Sequence, residues 1–506
     1  MPLVSAKAMF RAIFSIGFLQ IVSIAIGAVR TKVFAVLLGP SGFGVLATID
    51  QLVLSVSQFC NLSLPDTAVK FLSRGHSISE EQFQKSYAGF IKALISLGLL
   101  ATLILLIYLP PNLARIDPQL GKYRAPVSIA LLGIPATMLL VFLVHVLAAR
   151  QRAIASVLLT TISAAVFALF GMVGCFLAGI SGVYLAVVPA SSVFVTGIVI
   201  YARAKMGLRL HVPSRGNERG IKINREIIET AVANYIAVGC YSGFLLLARY
   251  LSITNLSEEA AGLLQAGLAI ALSIGAVLGP TNMLYLAPYL NRVMPVETKV
   301  QSVDKFLPQL ILLYCLGALP VLLFPELTLR ILFSGRFIDA IGILRVLLVW
   351  QCLFQVAGIY QQLLIGLDDV KAFCLITSAG YAGAATLCIW LVGRLGLNGI
   401  AIAFAVSALF ITCIAAIRLR LKYNYSLPRS LYLFGLFAVI TFIATIALAN
   451  WTRELTLVGL ASRLVFTVLA VTGAWLVLPK TLRVELFDSV TAKIRPILGR
   501  KSPSPR

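Results

Sequence analysis

The stretch GAVRTKVFAVLLGPSGFG, residues 27–44, places Arg30 and Lys32 near the end of a run that is otherwise uncharged from Ala12 to Leu38. An arginine in hydrocarbon costs about 2.5–3.5 kcal/mol on the insertion scale, so one kept there needs a partner or a task. Its planar guanidinium makes paired hydrogen bonds to phosphate, whereas a lysine ammonium acts as a point charge. At 1.5 Å per residue from Phe10, Arg30 lies about 30 Å along a straight helix, so reaching the far interface and lining a cavity are both open to it. Residues two apart diverge around a helix, which puts one cation in a cavity and the other at its rim.

Arg249 and Arg345 join Arg30 and Lys32 as candidates for a cationic cavity. Asp50, His145 and Glu229 are candidate proton or sodium sites, and Asn234, Gln265 and Asn282 are candidate polar lining. Lys92 and Glu229 fall near helix ends, where long side chains reach the interface, and His145 also reads as a packing histidine. With Lys92 included, cations outnumber carboxylates in this inventory, and a cavity of that sign suits an anionic substrate. The eight cysteines sit in apolar runs without a CxxC, and the three histidines are scattered, so no metal site and no cofactor is expected. No GxxxxGK[ST] motif is present, which leaves an ion gradient, of H+ or Na+, or the membrane potential as the drive.

The elements that must hold these residues are membrane spans. Of 506 residues 59% are apolar and 12% charged, and the mean hydropathy is +0.96, which excludes an ordinary soluble domain and predicts an all-α polytopic membrane protein. Apolar runs give fourteen helices near 10–38, 43–69, 87–109, 125–149, 153–178, 181–203, 226–250, 260–290, 305–324, 340–366, 370–393, 397–418, 431–449 and 458–478. The first follows Lys7 and Arg11 but is too long for a signal peptide's apolar region, so it reads as a span. Placing both termini in the cytoplasm puts most of the 42 basic residues on that side, as the positive-inside rule requires. The +23 net charge therefore follows topology and lipid headgroups, and no nucleic-acid partner is expected.

The break at 205–225 divides a six-helix lobe, 1–204, from a second, 226–421; two further helices occupy 422–480, and 481–506 is a basic cytoplasmic tail. The lobes read as a repeat. At an offset of 217, Gly179, Gly182 and Ala186 fall on Gly396, Gly399 and Ala403, Ala149 falls on Gly366, and Lys32 on Arg249; at 218, LGPSGFG falls on LSEEAAG. Duplicated bundles with a site between halves work by rocking one half against the other.

The block from Gly27 to Gly44, above all its LGPSGFG turn, resembles the first helix and following turn of the Wzx-type O-antigen and polysaccharide flippases of the multidrug/oligosaccharidyl-lipid/polysaccharide exporter superfamily. The resemblance is best over residues 8–75, extends through ILFSGRF (331–337) to about 421, and then stops. The related lipid II flippases carry G-x-x-R-x(4)-A-x(3)-G, which places their arginine on Arg30, and O-antigen-type members have a lysine matching Lys32. The lipid II flippases' further arginines on helices two and eight are missing here, with Asp50 in the first region and no basic residue in the second before Arg292. What the resemblance implies is flipping of an undecaprenyl-diphosphate-linked oligosaccharide, an O-antigen or other surface-polysaccharide unit, across the bacterial inner membrane, alongside a polysaccharide polymerase and a chain-length regulator. A multidrug/cation antiporter of the same superfamily would favour interior carboxylates. A polymerase or ligase would need a long catalytic external loop, and the longest, near PPNLARIDPQLGKYR, is short and poor in His and Glu, so an enzyme is not expected.

Overall fold

The computed structural model describes residues 6–62, 65, 80–116, 118–150, 152–206, 208, 225–281, 286, 290, 295–425, 429–451 and 457–477; the 209–224 linker, the 481–506 tail and Asn282 lie outside them. Among the described residues the regular elements are all helical. Hydrocarbon offers the backbone no hydrogen-bond partner, so each apolar run must satisfy its own N–H and C=O groups, which a helix does.

In chain order these are α1 (Ala6–Cys60), α2 (Glu80–Ile116), α3 (Arg124–Leu131), α4 (Ile134–Ala149), α5 (Ala153–Met206), α6 (Arg225–Thr254), α7 (Glu258–Thr281), α8 (Val296–Leu323), α9 (Pro325–Leu332), α10 (Ile341–Gly366), α11 (Val370–Leu395), α12 (Leu397–Tyr423), α13 (Arg429–Trp451) and α14 (Leu457–Val477). Nine described helices are long and apolar enough to cross a membrane, and α3 with α4 forms a tenth span bent by 43°. Two of the nine, of 42 and 51 residues, are long enough to cross twice. α1 breaks at Gly39 (φ 65°, ψ −176°) and α5 at Ala178–Gly179, so the four spans expected at 10–38, 43–69, 153–178 and 181–203 are two broken helices. Two expectations on boundaries fail. Pro110 and Pro111, expected in an external loop, lie inside α2, near its end, where water at the membrane face can take the carbonyl bonds they forfeit; and the bend at 132–133 splits the span expected at 125–149.

The repeat is visible in the backbone. Gly179 and Gly396, 217 residues apart, share φ 57° with ψ −140° and −136°, a left-handed combination open to glycine but strained for other residues. Each turns the chain into a tight antiparallel pair. A Cβ on Gly174 would run into the Gly182 carbonyl oxygen, and one on Gly399 would lie 2.6 Å from that of Leu391, although real Cβ atoms keep more than 3.0 Å from their neighbours. Gly182 and Gly399 are themselves related by 217. Small residues here let the backbones approach to a distance side chains would forbid.

The lobes meet along α1. Its second half, 40–60, packs against α6 and α7, and a Cβ on Gly262 would run into the Pro40 carbonyl oxygen. A Cβ on Gly44 would in turn strike the Gly262 nitrogen, so the two glycines that close the repeated turns pack against each other, as they do where a two-fold axis passes between halves. α13 packs on α8, and α14 is tied there by the buried Arg463, which donates to the carbonyl oxygens of Leu323 (2.7 Å) and Ala449 (3.4 Å).

Candidate substrate cavity

A cavity of about 210 Å³ opens in the first lobe, between both halves of α1, the α3–α4 bend and α5. Arg30 and Phe34 enter from α1 before its break, and Asp50 from after it; Thr137, Tyr184 and Ser191 supply the remaining polar wall. The break at Gly39 makes this possible, since it folds α1 back on itself and brings residues twenty apart to one wall.

Asp50 accepts a hydrogen bond from the Tyr184 hydroxyl at 2.9 Å and leaves the rest of its carboxylate open to the cavity. Arg30 lies 5.9 Å from the centroid of Phe34 and is close enough to Asp50 to feel its charge, but it forms no hydrogen bond or ion pair with a described residue, and its Nε is buried without a partner. A guanidinium held this way retains several unused donors in a low-dielectric site.

Of the other cations only Arg249 comes close enough to Asp50 to feel its charge, and none of them lines this cavity, so the net-cationic cavity expected from composition does not assemble. Lys32 donates to the Arg330 carbonyl oxygen at 2.7 Å, across the lobe boundary. Arg249 is buried and donates through Nη1 to the Ala47 carbonyl oxygen at 2.7 Å, also across it. These two are repeat-related, and each crosses to a backbone carbonyl of the opposite lobe. Arg345 lines a separate polar cavity with Glu326, Asp339, Asn450 and Arg463, between the second lobe and α13–α14. His145 bonds its own helix through Nδ1 and the Val141 carbonyl at 2.7 Å. Glu229 is exposed near the start of α6, and Asn234, half-buried, lines none of these cavities. Gln265 on α7 keeps a buried Oε1 without a partner among the described residues. The described residues thus bring together Arg30 and Asp50, with Tyr184 added; Tyr184 sits in the GISGVY segment that carries the repeat, a signal of structure that gave no hint of its contact.

The contacts between lobes gather at the end of the molecule marked by Gly39. Phe43 meets Phe333 and Phe337 edge-on with centroids 5.8 and 5.9 Å away, the Tyr123 hydroxyl donates to Glu258 Oε2 at 2.9 Å, and Lys122 pairs with Glu258 Oε1 at 2.7 Å. Toward the opposite end the lobes touch through Ser55 and Gln58 of α1 and Ser242 of α6. Two helical lobes related by a repeat are an arrangement found in known proteins. An inward-facing multidrug-resistance MATE family transporter of the MOP superfamily aligns over 81% of this chain and 96% of its own, with TM-score 0.58 and 15% identity. The chain has the MATE fold. An outward-facing MATE transporter aligns at TM-score 0.54 and 13% identity over 82% and 95%, and the MATE multidrug transporter DinF-BH, solved as a ligand complex, at 0.56 and 14% over 84% and 98%. No protein-family model matches the sequence, and neither does any curated protein. In this MATE-type frame, Arg30 and Asp50 face each other inside the first lobe.

Proposed function

We propose that this chain is a secondary transporter that works by alternating access, and that it moves an undecaprenyl-diphosphate-linked oligosaccharide from the cytoplasmic to the periplasmic leaflet of a bacterial inner membrane. The observation that carries the reading is Arg30, a membrane-embedded guanidinium that forms no hydrogen bond or ion pair with a described residue and is aimed into a cavity. A diphosphate supplies the paired acceptors such a group lacks. At about 210 Å³ the cavity is smaller than pockets that enclose a whole drug-sized ligand, about 300 Å³ or more, and suits a headgroup whose lipid chain and glycan lie outside it.

Asp50 gives the proposal its coupling. A phosphate seated on Arg30 would face the Asp50 carboxylate, and like charges in a low-dielectric site exclude each other unless one takes a proton. Asp50 is therefore the proposed proton site of the cycle.

A second reading, a multidrug/cation antiporter, is favoured by the open face of Asp50 and by the multidrug transporters that share the fold. There Asp50 would take the cation, and Arg30 would compete with it. Complementation of a flippase-null strain separates the two, with surface polysaccharide as the readout at matched membrane abundance. Loss with Arg30→Ala, partial activity with Arg30→Lys and retention with Lys32→Ala support the flippase. Wild type that leaves the strain without polysaccharide but confers cation-drug resistance supports the antiporter.

A further inference from the structure

An apolar cavity of about 380 Å³ lies outside the Arg30 site. Its walls come from both lobes: Val45, Ile49 and Leu52 of α1 and Leu113 of α2 on one side, Leu247 and Tyr250 of α6 on the other. Along the neighbouring face of α2, Leu99, Leu103, Ile107 and Tyr108 are all more than half exposed, which marks that face as one that meets hydrocarbon. The groove ends at Tyr123, and there the polarity changes. Lys122 lies 5.0 Å from the Tyr123 ring, and Arg115 and Arg124, on either side of the same turn, are exposed.

An apolar slot flanked by two exposed arginines, with Lys122 already paired to Glu258, has the form of a lipid site, with the chain in the slot and the phosphate at the rim. We infer that this groove binds an anionic phospholipid of the surrounding bilayer, its acyl chain between α1, α2 and α6 and its headgroup against Arg115 and Arg124. Charge complementarity selects an anionic lipid over a zwitterionic one, and the hydrocarbon-facing wall lets it enter from the bilayer without passing the Arg30 cavity. Because the walls belong to both lobes, the bound chain holds the lobes in this arrangement, with the Phe43–Phe333–Phe337 end shut. The inference does not depend on what the Arg30 cavity carries.

The test uses the full-length protein in detergent, with phosphatidylglycerol, phosphatidylcholine and undecaprenyl phosphate as separate probes. Phosphatidylglycerol is expected to raise the Tm by at least about 2 °C, while phosphatidylcholine does not. Gly243→Leu fills the groove where a Cβ has only an ordinary contact, 3.9 Å from Phe59, and should abolish the shift without lowering the Tm in detergent alone. Arg115→Glu with Arg124→Glu should strip the phosphatidylglycerol that wild type retains in native mass spectrometry, a readout that stands if Gly243→Leu proves unstable. Equal shifts with both phospholipids, retention of the lipid by the charge-reversed variant, or a response to undecaprenyl phosphate alone would overturn the assignment.

Discussion

Arg30→Ala leaves Asp50 as the charged group of a cavity that then repels phosphate, so transport of a diphosphate lipid should fall at least tenfold, and Arg30→Lys should recover part of it as a point charge. Lys32→Ala removes a bond to the Arg330 carbonyl and leaves that cavity intact, so its cost should appear in stability before activity. Outside the membrane spans, Asp369 joins α10 to α11 with its side chain 6% exposed, and accepts bonds from Arg418 at 2.9 and 3.3 Å and from Lys422 at 3.1 Å. Burial alone would push its carboxyl up, but the bonds from Arg418 and Lys422 outweigh burial and hold it below the usual carboxylate range. A depressed carboxyl stabilises the fold above its unfolded value, about 3.9, and that stabilisation is lost as the pH falls through the folded value. Thermal unfolding should therefore show Asp369→Asn less stable than wild type from about pH 8 down to about 5, with the gap closing below about pH 4. Arg30 was legible in the sequence because a charge inside an apolar run stands out. The task of Arg249 was not, because its acceptor is the backbone of Ala47, 202 residues away, and a carbonyl leaves no mark in a sequence.

At the scale of elements, the close approach of α1 and α7 rests on Gly44 and Gly262. A valine at Gly262 would drive its Cβ into the Pro40 carbonyl, a backbone atom that cannot swing aside, and should cost about 3 kcal/mol or more, seen as lost folded yield or a lower Tm. Gly383→Ala, where a Cβ meets nothing within 4 Å, is the control and should be neutral. Glycine spacing makes the repeat legible in the chain itself, because the Gly179 and Gly396 turns tolerate few other residues. Helix breaks are harder to read: Gly39 interrupts α1 without a polar loop, so composition marks a gap between two helices where the chain makes only a one-residue kink.

For the molecule as a whole, rocking requires the contacts at the Gly39 end to separate. Cysteines in place of Lys122 and Glu258, in a background with the native cysteines replaced by serine, should accept a short reversible bis-thiol-reactive bridge that stops transport until it is reduced. Unchanged transport with the bridge in place would mean that this end does not open. Aromatic contact between Phe43 and the Phe333–Phe337 pair could not be read from the chain, since residues so far apart in sequence meet only once the lobes are docked. The measurement that tests the account most directly is transport by the purified protein in vesicles, with a fluorescent undecaprenyl-diphosphate oligosaccharide and a lipophilic cation dye assayed side by side under an imposed proton gradient. The account predicts that the lipid changes leaflet, that Arg30→Ala reduces this at least tenfold, and that the dye moves no faster than in protein-free vesicles. Gradient-driven dye efflux that survives Arg30→Ala and fails with Asp50→Asn, while the lipid stays in place, would contradict it.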